Sequence, residues 1–140
     1  MLLDFKNPLR LLRELKPRKH MIEEMALRGA HVDLWLFCPY HPDGIVESFA
    51  RASADRKPGP GMALAAAETL GLDLTASWVV GDRASDIGLA RAVGARALHV
   101  GPVAFPDSDV HSFPDLPGAV RHILDDAEGT IPRLRPSFPA

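Results

Sequence analysis

Residues 77–100 read SWVVGDRASDIGLARAVGARALHV, and this segment carries the strongest indication of the fold class. Its apolar start, residues 77–80, predicts a short buried strand. The run Asp86–Val93 predicts a helix that ends at Gly94, and residues 96–100 predict a second strand. Strand, helix and strand at this spacing indicate a βαβ unit with parallel strands and a helix packed on one face.

Further elements are predicted on both sides of this unit. They are a broken helical region over residues 1–30, a buried strand HVDLWLFC over 31–38, a long loop over 39–59, a helix over 60–70, a loop over 101–117 and a helix over 119–127. The fold class is therefore predicted to be α/β, with a parallel sheet flanked by helices. Three strands are few for such a sheet, which suggests that it is incomplete on its N-terminal side.

Bulk composition limits the class of protein. The chain has 140 residues, 46% of them hydrophobic and 24% charged, with a formal net charge of −2 and one cysteine. These values predict a single soluble domain over residues 1–127 and a proline-rich tail over 128–140, in a cytoplasmic protein. No basic surface predicts nucleic-acid binding, and no apolar run is long enough to predict a signal peptide or a membrane span.

Two acidic residues follow the predicted strand at 77–80. Gly81 permits a tight turn there, and Asp82 and Asp86 then lie between the strand tip and the start of the next helix. Ligands of parallel sheets bind at this carboxyl edge, and two carboxylates suit Mg²⁺. Alternatively, Asp86 acts only as the N-cap of its helix, a role compatible with a place near a metal.

A basic segment, RKPGPGM (residues 56–62), precedes the predicted helix at 60–70. Lys57 could neutralise a phosphate, and Arg56 could bind phosphate or sugar oxygens in bidentate fashion. Arg83 could contact the same kind of ligand. In the alternative interpretation all three are ordinary solvated charges.

The order of these segments resembles the third and fourth motifs of haloacid dehalogenase (HAD) superfamily phosphatases. The closest resemblance is to the branch of heptose-bisphosphate and histidinol-phosphate phosphatases, because FCPYHPDG (residues 37–44) precedes RKPGPGM and then SWVVGDRASD. It covers roughly residues 21–100. The resemblance implies a Rossmann-like HAD fold and Mg²⁺-dependent hydrolysis of a small phosphorylated sugar in carbohydrate metabolism.

The resemblance also implies roles for single residues. Lys57 would stabilise the phosphoryl group and the nucleophile, and Arg56 and Arg83 would bind substrate. Asp82 would bind Mg²⁺, with Asp86 more distant from the ion, as a supporting acid. In such enzymes an aspartate attacks phosphorus, and water then hydrolyses the aspartyl-phosphate.

The chain departs from the family pattern at the nucleophile. It has no Asp-x-Asp-Gly-Thr segment, and the nearest match is LLDFKNP (residues 2–8), where Asp4 could replace the nucleophile. Lys6 would then stand at the acid/base position, for which a lysine is poorly suited at neutral pH. The family's second motif is not recognisable either, so the chain is expected to be truncated or internally deleted on its N-terminal side.

A structural zinc, frequent in this branch, is not expected. Cys38 is present, but Tyr40 stands where a histidine would be, and His41 is displaced by one position. The downstream ligand pair is replaced by residues 53–55, Ser-Ala-Asp. At most two of four ligands remain.

Three hypotheses follow from the sequence. The first is a working phosphatase, and the second is an inactive HAD remnant that retains only phosphate or metal binding. The third, a phospho-acceptor receiver domain, is disfavoured because its acid pair should precede the lysine. An incomplete sheet would also expose an apolar edge and allow self-association.

Overall fold

The computed structural model describes residues 19–130. The chain divides into two compact units, Met1–Leu74 and Thr75–Ala140. The helical pattern predicted around Leu9–Leu15 and the tail beyond Thr130 lie outside the described residues. Within the described range, no helix combines the length and the apolar composition needed to cross a membrane.

The first unit contains two helices in its described part. Helix α1 covers residues 19–27, and Gly29, with φ 71°, follows it in the left-handed conformation that favours glycine. Helix α2, Gly61–Leu70, begins after Pro60 and ends at Gly71, which has φ 66°. Both helices therefore end at the glycines that the sequence predicts as their C-terminal ends. A 3₁₀ turn, Glu47–Phe49, interrupts the long loop between the helices.

The strand predicted for HVDLWLFC is wrong. Residues 31–38 form no β-ladder with any described residue. Trp35, Leu36 and Phe37 remain at least partly exposed, and only Cys38 is buried. Apolar and β-branched composition favours a strand, but this preference depends on context and does not by itself form a β-ladder.

The second unit is an α/β structure with a parallel sheet, as predicted. Its strands are β1 (Trp78–Gly81), β2 (Arg96–Val100) and β3 (His111–Phe113), in the order β1-β2-β3. Helix α3 (Ala84–Val93) connects β1 to β2, and helix α4 (Leu116–Thr130) follows β3. Residues 101–110 connect β2 to β3 without a helix, and we call this segment the strap.

Register assigns the two faces of the sheet. Gly81 pairs with His99 and His99 with Ser112, so these three positions share one face. A Cβ placed at Gly81 would point at Asp86, so α3 begins over this face. On the opposite face Trp78 and Phe113 contact His122 of α4. The sheet therefore lies between two helices, with Ile87 (1% exposed), Leu98 (0%) and Ala119 (0%) as core residues.

Several element boundaries differ from the prediction. Helix α3 begins at Ala84 rather than Asp86, and α4 extends from Leu116 to Thr130 rather than from 119 to 127. Strand β3 lies within the segment predicted as a loop. Its sequence, His-Ser-Phe, is short and mostly polar, and its strand conformation depends on hydrogen bonding to β2 rather than on local preference.

Candidate active site

The tip of β1 is built around Gly81. A Cβ at this position would overlap the Cβ, Cγ and Oδ2 atoms of Asp86. Glycine is therefore required here by close approach, because the Asp86 side chain occupies the space above the strand end. This packing brings the start of α3 directly onto the carboxyl edge of β1.

Asp86 is the buried acid of the tip. It is 4% exposed, and its Oδ2 accepts a hydrogen bond from the backbone N–H of Arg83 at 3.1 Å. Arg83, with extended backbone angles, is the N-cap of α3, and Asp86 is the third helical residue. The interpretation of Asp86 as the N-cap residue is therefore wrong. Its carboxylate instead accepts the backbone N–H of the N-cap residue. It also lies in the first turn, where the helix dipole favours negative charge.

Asp82 and Arg83 are the exposed side chains of the tip. Asp82 follows the last residue of β1, and Arg83 precedes the first residue of α3. The structure thus brings three predicted site residues, Asp82, Arg83 and Asp86, together at one strand–helix junction. An exposed carboxylate is free to contact a ligand directly, whereas a buried carboxylate that is already hydrogen-bonded is suited to supporting the backbone around it.

The donor chemistry of the tip fits a hard cation. Asp82 and Asp86 offer carboxylate oxygens, which Mg²⁺ prefers, and Mg²⁺ retains several waters when few protein ligands are present. Across residues 19–130, no three or more His, Cys, Asp or Glu side chains are arranged to hold a metal. Of the two carboxylates, Asp82 is exposed to solvent, whereas Asp86 is buried and hydrogen-bonded to the Arg83 N–H.

In the first unit, Arg56 and Lys57 lie in a tight turn before α2, residues 53–61, which we call the RKP loop. Both side chains are half-buried. The N–H of Gly59 donates to the carbonyl of Arg56 at 2.8 Å, and the N–H of Gly61 donates to that of Ala54 at 2.9 Å. A Cβ at Gly59 would collide with this backbone, so glycine is needed for the turn. The Lys57–Pro58 peptide bond is cis.

Arg56 connects the RKP loop to the upstream proline-rich loop. Its Nη1 donates to the carbonyl of Tyr40 at 3.3 Å. The guanidinium of Arg51 lies over the Tyr40 ring, 3.8 Å from its centroid. The bond to Tyr40 gives Arg56 a structural role in addition to any role toward a substrate.

The remaining zinc candidates are engaged locally. Cys38 is 1% exposed, and its Sγ lies 3.8 Å from the Tyr40 carbonyl as a weak hydrogen-bond donor. His41 is 9% exposed, and its Nδ1 accepts the N–H of Asp43 at 3.0 Å. Two such donors do not make a four-ligand zinc site. The proposed nucleophile Asp4 lies outside the described residues.

Two features at the sheet were not predicted as functional. His99, in β2, is 8% exposed, and its Nδ1 has no hydrogen-bond partner among the described residues. Arg91 of α3 binds two carboxylates of the strap, Asp107 at 2.9 Å and Asp109 at 3.1 Å. Hydrogen bonds to Asp107 and Asp109 raise the pKa of Arg91. The sequence signal for His99 is a polar residue between the apolar residues Leu98 and Val100 of β2.

Comparison with known proteins identifies the family. The family model described as HAD-hydrolase-like matches residues 54–127, which include all but the first residue of the RKP loop, the β1 tip and the three described strands. The chain belongs to this HAD family. The resemblance seen in the sequence is therefore confirmed, and the α/β architecture of the second unit is a HAD-type fold.

Curated relatives of this HAD chain are named as heptose-bisphosphate phosphatases. The D-glycero-beta-D-manno-heptose-1,7-bisphosphate 7-phosphatase of Rhodopseudomonas palustris is 45% identical over 74 residues, covering 53% of this chain and 41% of the relative. The enzyme of the same name from Yersinia pestis is 41% identical over 106 residues, covering 69% and 56%. The chain spans about half the length of these relatives.

Solved structures agree with the family assignment. A HAD-like phosphatase from Mesorhizobium loti has a TM-score of 0.70 at 26% identity, covering 84% of this chain and 57% of that one. A D,D-heptose 1,7-bisphosphate phosphatase from B. bronchiseptica, complexed with magnesium and phosphate, has a TM-score of 0.64 at 26% identity. It covers 79% of this chain and 62% of that one.

Proposed function

We propose that this HAD chain functions in the Mg²⁺-dependent hydrolysis of a small sugar phosphate of the heptose-bisphosphate type. The observation that carries the proposal is the β1 tip, where Asp82 is exposed at the strand end and Asp86 is buried with its Oδ2 on the Arg83 N–H. The names of the curated relatives support the substrate class. A histidinol-phosphate-type substrate belongs to the same branch and is a second candidate for the assay.

The proposed roles follow from charge and placement. Asp82 would hold Mg²⁺, which when bound offsets the repulsion between a carboxylate nucleophile and the phosphate. Asp86 would keep the tip rigid through its bond to Arg83. Lys57 would neutralise charge on the phosphoryl group, while Arg56 and Arg83 would bind substrate oxygens. Asp4 stays the candidate nucleophile, with Lys6 at the acid/base position.

Phosphate release tests this proposal. The chain is incubated with D-glycero-β-D-manno-heptose 1,7-bisphosphate in Mg²⁺ and, separately, in a chelator. We expect Mg²⁺-dependent release that Asp82→Asn and Lys57→Ala reduce by at least about 100-fold, the size expected for loss of a group that stabilises transition-state charge. Lys19→Gln, whose side chain is 81% exposed, is the matched control and should keep full activity. Equal release by wild type and Asp82→Asn would refute the assignment.

A binding-only module is the second candidate, and one observation favours it. The sequence contains a single Asp-x-Asp pair, Asp107 and Asp109, and both carboxylates bind Arg91. That pair follows β2 rather than an apolar strand with Gly-Thr after it, so it does not replace the family's nucleophile motif. This candidate predicts Mg²⁺ and phosphate binding without hydrolysis above the uncatalysed rate.

Partners and location are part of the same proposal. We expect a small phosphorylated metabolite as the ligand, with neither nucleic acid nor membrane as a partner, and a cytoplasmic location. Strand β1 has a single strand neighbour in the described sheet, and its outer edge would support self-association. Light scattering across a range of chain concentrations tests the last point, and a mass independent of concentration at the monomer value would refute it.

A further inference from the structure

A histidine lies buried beside the β1 tip without an internal hydrogen-bond partner for its Nδ1. His99 is 8% exposed, and its Nδ1 is buried with no partner among the described residues. The ring contacts Phe105 of the strap, with 5.4 Å between centroids. Gly101 makes room for it, because a Cβ there would lie 2.9 Å from the His99 Cε1.

The ring contact with Phe105 does not satisfy the hydrogen-bonding capacity of the His99 Nδ1. A buried polar atom that loses its water contacts without gaining a hydrogen bond destabilises the fold. The neighbouring residue of the strand, Leu98, is fully buried on the opposite face and is apolar, as a core position requires. A leucine at position 99 would be apolar and would leave no unpaired nitrogen.

Register places His99 next to the proposed Mg²⁺ and phosphate site. His99 is the Cα partner of Gly81, so both positions face the same side of the sheet. On that side the carboxylate of Asp86 occupies the space above Gly81. Adjacent strands lie about 4.8 Å apart. The imidazole of His99 and the carboxylate of Asp86 therefore lie on the same face of the sheet, near the carboxyl edge where ligands of parallel sheets bind.

We infer that His99 is a positioning residue of this edge, and that its imidazole forms a hydrogen bond with an oxygen of the bound ligand or of a water that the ligand holds. The inference rests on the proposed function and extends it by one residue. The oxygen belongs either to phosphate or to the hydration shell of Mg²⁺, since both would be held at the β1 tip. A neutral imidazole offers one donor and one acceptor nitrogen and can serve either source.

The test compares stability and ligand binding in two variants. His99→Leu removes both nitrogens, and His99→Gln keeps a side chain that can donate and accept. His31→Gln, in which the replaced histidine is 82% exposed, is the matched control. Each protein is titrated with Mg²⁺ alone, with inorganic phosphate alone, and with phosphate in saturating Mg²⁺, and its Tm is measured without ligand.

We expect His99→Leu to raise Tm by roughly 3–6 °C while weakening ligand binding about tenfold, and His99→Gln to restore much of the affinity. The titration in which affinity falls identifies the oxygen that His99 contacts. Weaker binding of phosphate alone indicates a phosphate oxygen, and weaker binding of Mg²⁺ alone indicates a metal-bound water. A merely structural histidine would not move stability and affinity in opposite directions.

Two results overturn the inference in distinguishable ways. If wild type binds Mg²⁺ or phosphate and His99→Leu binds them with unchanged Kd, this inference fails and the proposed function stands. If wild type binds neither ligand, both fail. As a second readout that does not depend on the variants folding, the imidazole ¹⁵N resonances of His99 should shift on ligand saturation in wild type, and unchanged resonances contradict the role.

Discussion

Substitution of Gly81 by alanine tests the packing that joins strand β1 to helix α3. The new Cβ would overlap Asp86 at its Cβ, Cγ and Oδ2 atoms. Inserting a methyl group into such a contact costs about 1–3 kcal/mol. Moving Asp86 also breaks its bond to the Arg83 N–H, and a hydrogen bond to a charged group contributes about 1.5–3 kcal/mol.

These effects overlap, because both arise from displacement of one side chain. The reduced conformational freedom of the unfolded chain opposes them by about 0.4–1 kcal/mol. We therefore expect Gly81→Ala to lower the free energy of unfolding by about 2–3 kcal/mol. We also expect it to weaken Mg²⁺ binding, since Asp82 adjoins the displaced residue.

Urea unfolding followed by circular dichroism measures the change, with equal m-values showing that both proteins unfold in the same way. Gly118→Ala is the matched control. It adds the same methyl group in α4, where the nearest heavy atom would be 3.1 Å away, and should change stability by less than about 1 kcal/mol. A Gly81→Ala protein within about 0.5 kcal/mol of wild type would refute the reasoning.

Two further predictions concern the core and the RKP loop. Leu98→Ala removes a fully buried side chain of β2 and should lower the free energy of unfolding by about 2–5 kcal/mol. Leu124→Ala, at a position 59% exposed, should lower it by less than about 1 kcal/mol. Equal losses in urea unfolding would contradict the assigned core. Arg56→Ala removes the bond to the Tyr40 carbonyl and should destabilise the first unit by about 1–3 kcal/mol, with Arg56→Lys giving a smaller loss. An Arg56→Ala protein with unchanged hydrogen exchange around Tyr40 would show that this bond does not hold the loop.

The elements with strong local signals were predictable from the sequence. Helix α2 ends where Gly71 predicts, α3 ends at Gly94, and β2 matches RALHV at both ends. Glycines with positive φ mark these stops because other residues are strained there. The family and the parallel sheet followed from the same segments, and both are confirmed.

Features set by tertiary partners were not predictable. HVDLWLFC has the composition of a strand but joins no β-ladder among the described residues, while β3 has little strand preference and pairs with β2. The burial of His99 and its unpaired nitrogen depend on the strap and Gly101, which lie outside the strand itself. Asp86 is the third residue of α3 because the helix begins at Ala84, two residues before the start that the sequence predicts.

Backbone NMR during a Mg²⁺ titration tests the β1 tip directly. Saturable shifts should be centred on the amides of residues 81–86 and should be absent in Asp82→Asn. Lys19→Gln, altered at an exposed side chain of α1, should reproduce the wild-type shifts. The absence of saturable shifts in wild type, or the same shifts in Asp82→Asn, would contradict a Mg²⁺ site at this tip.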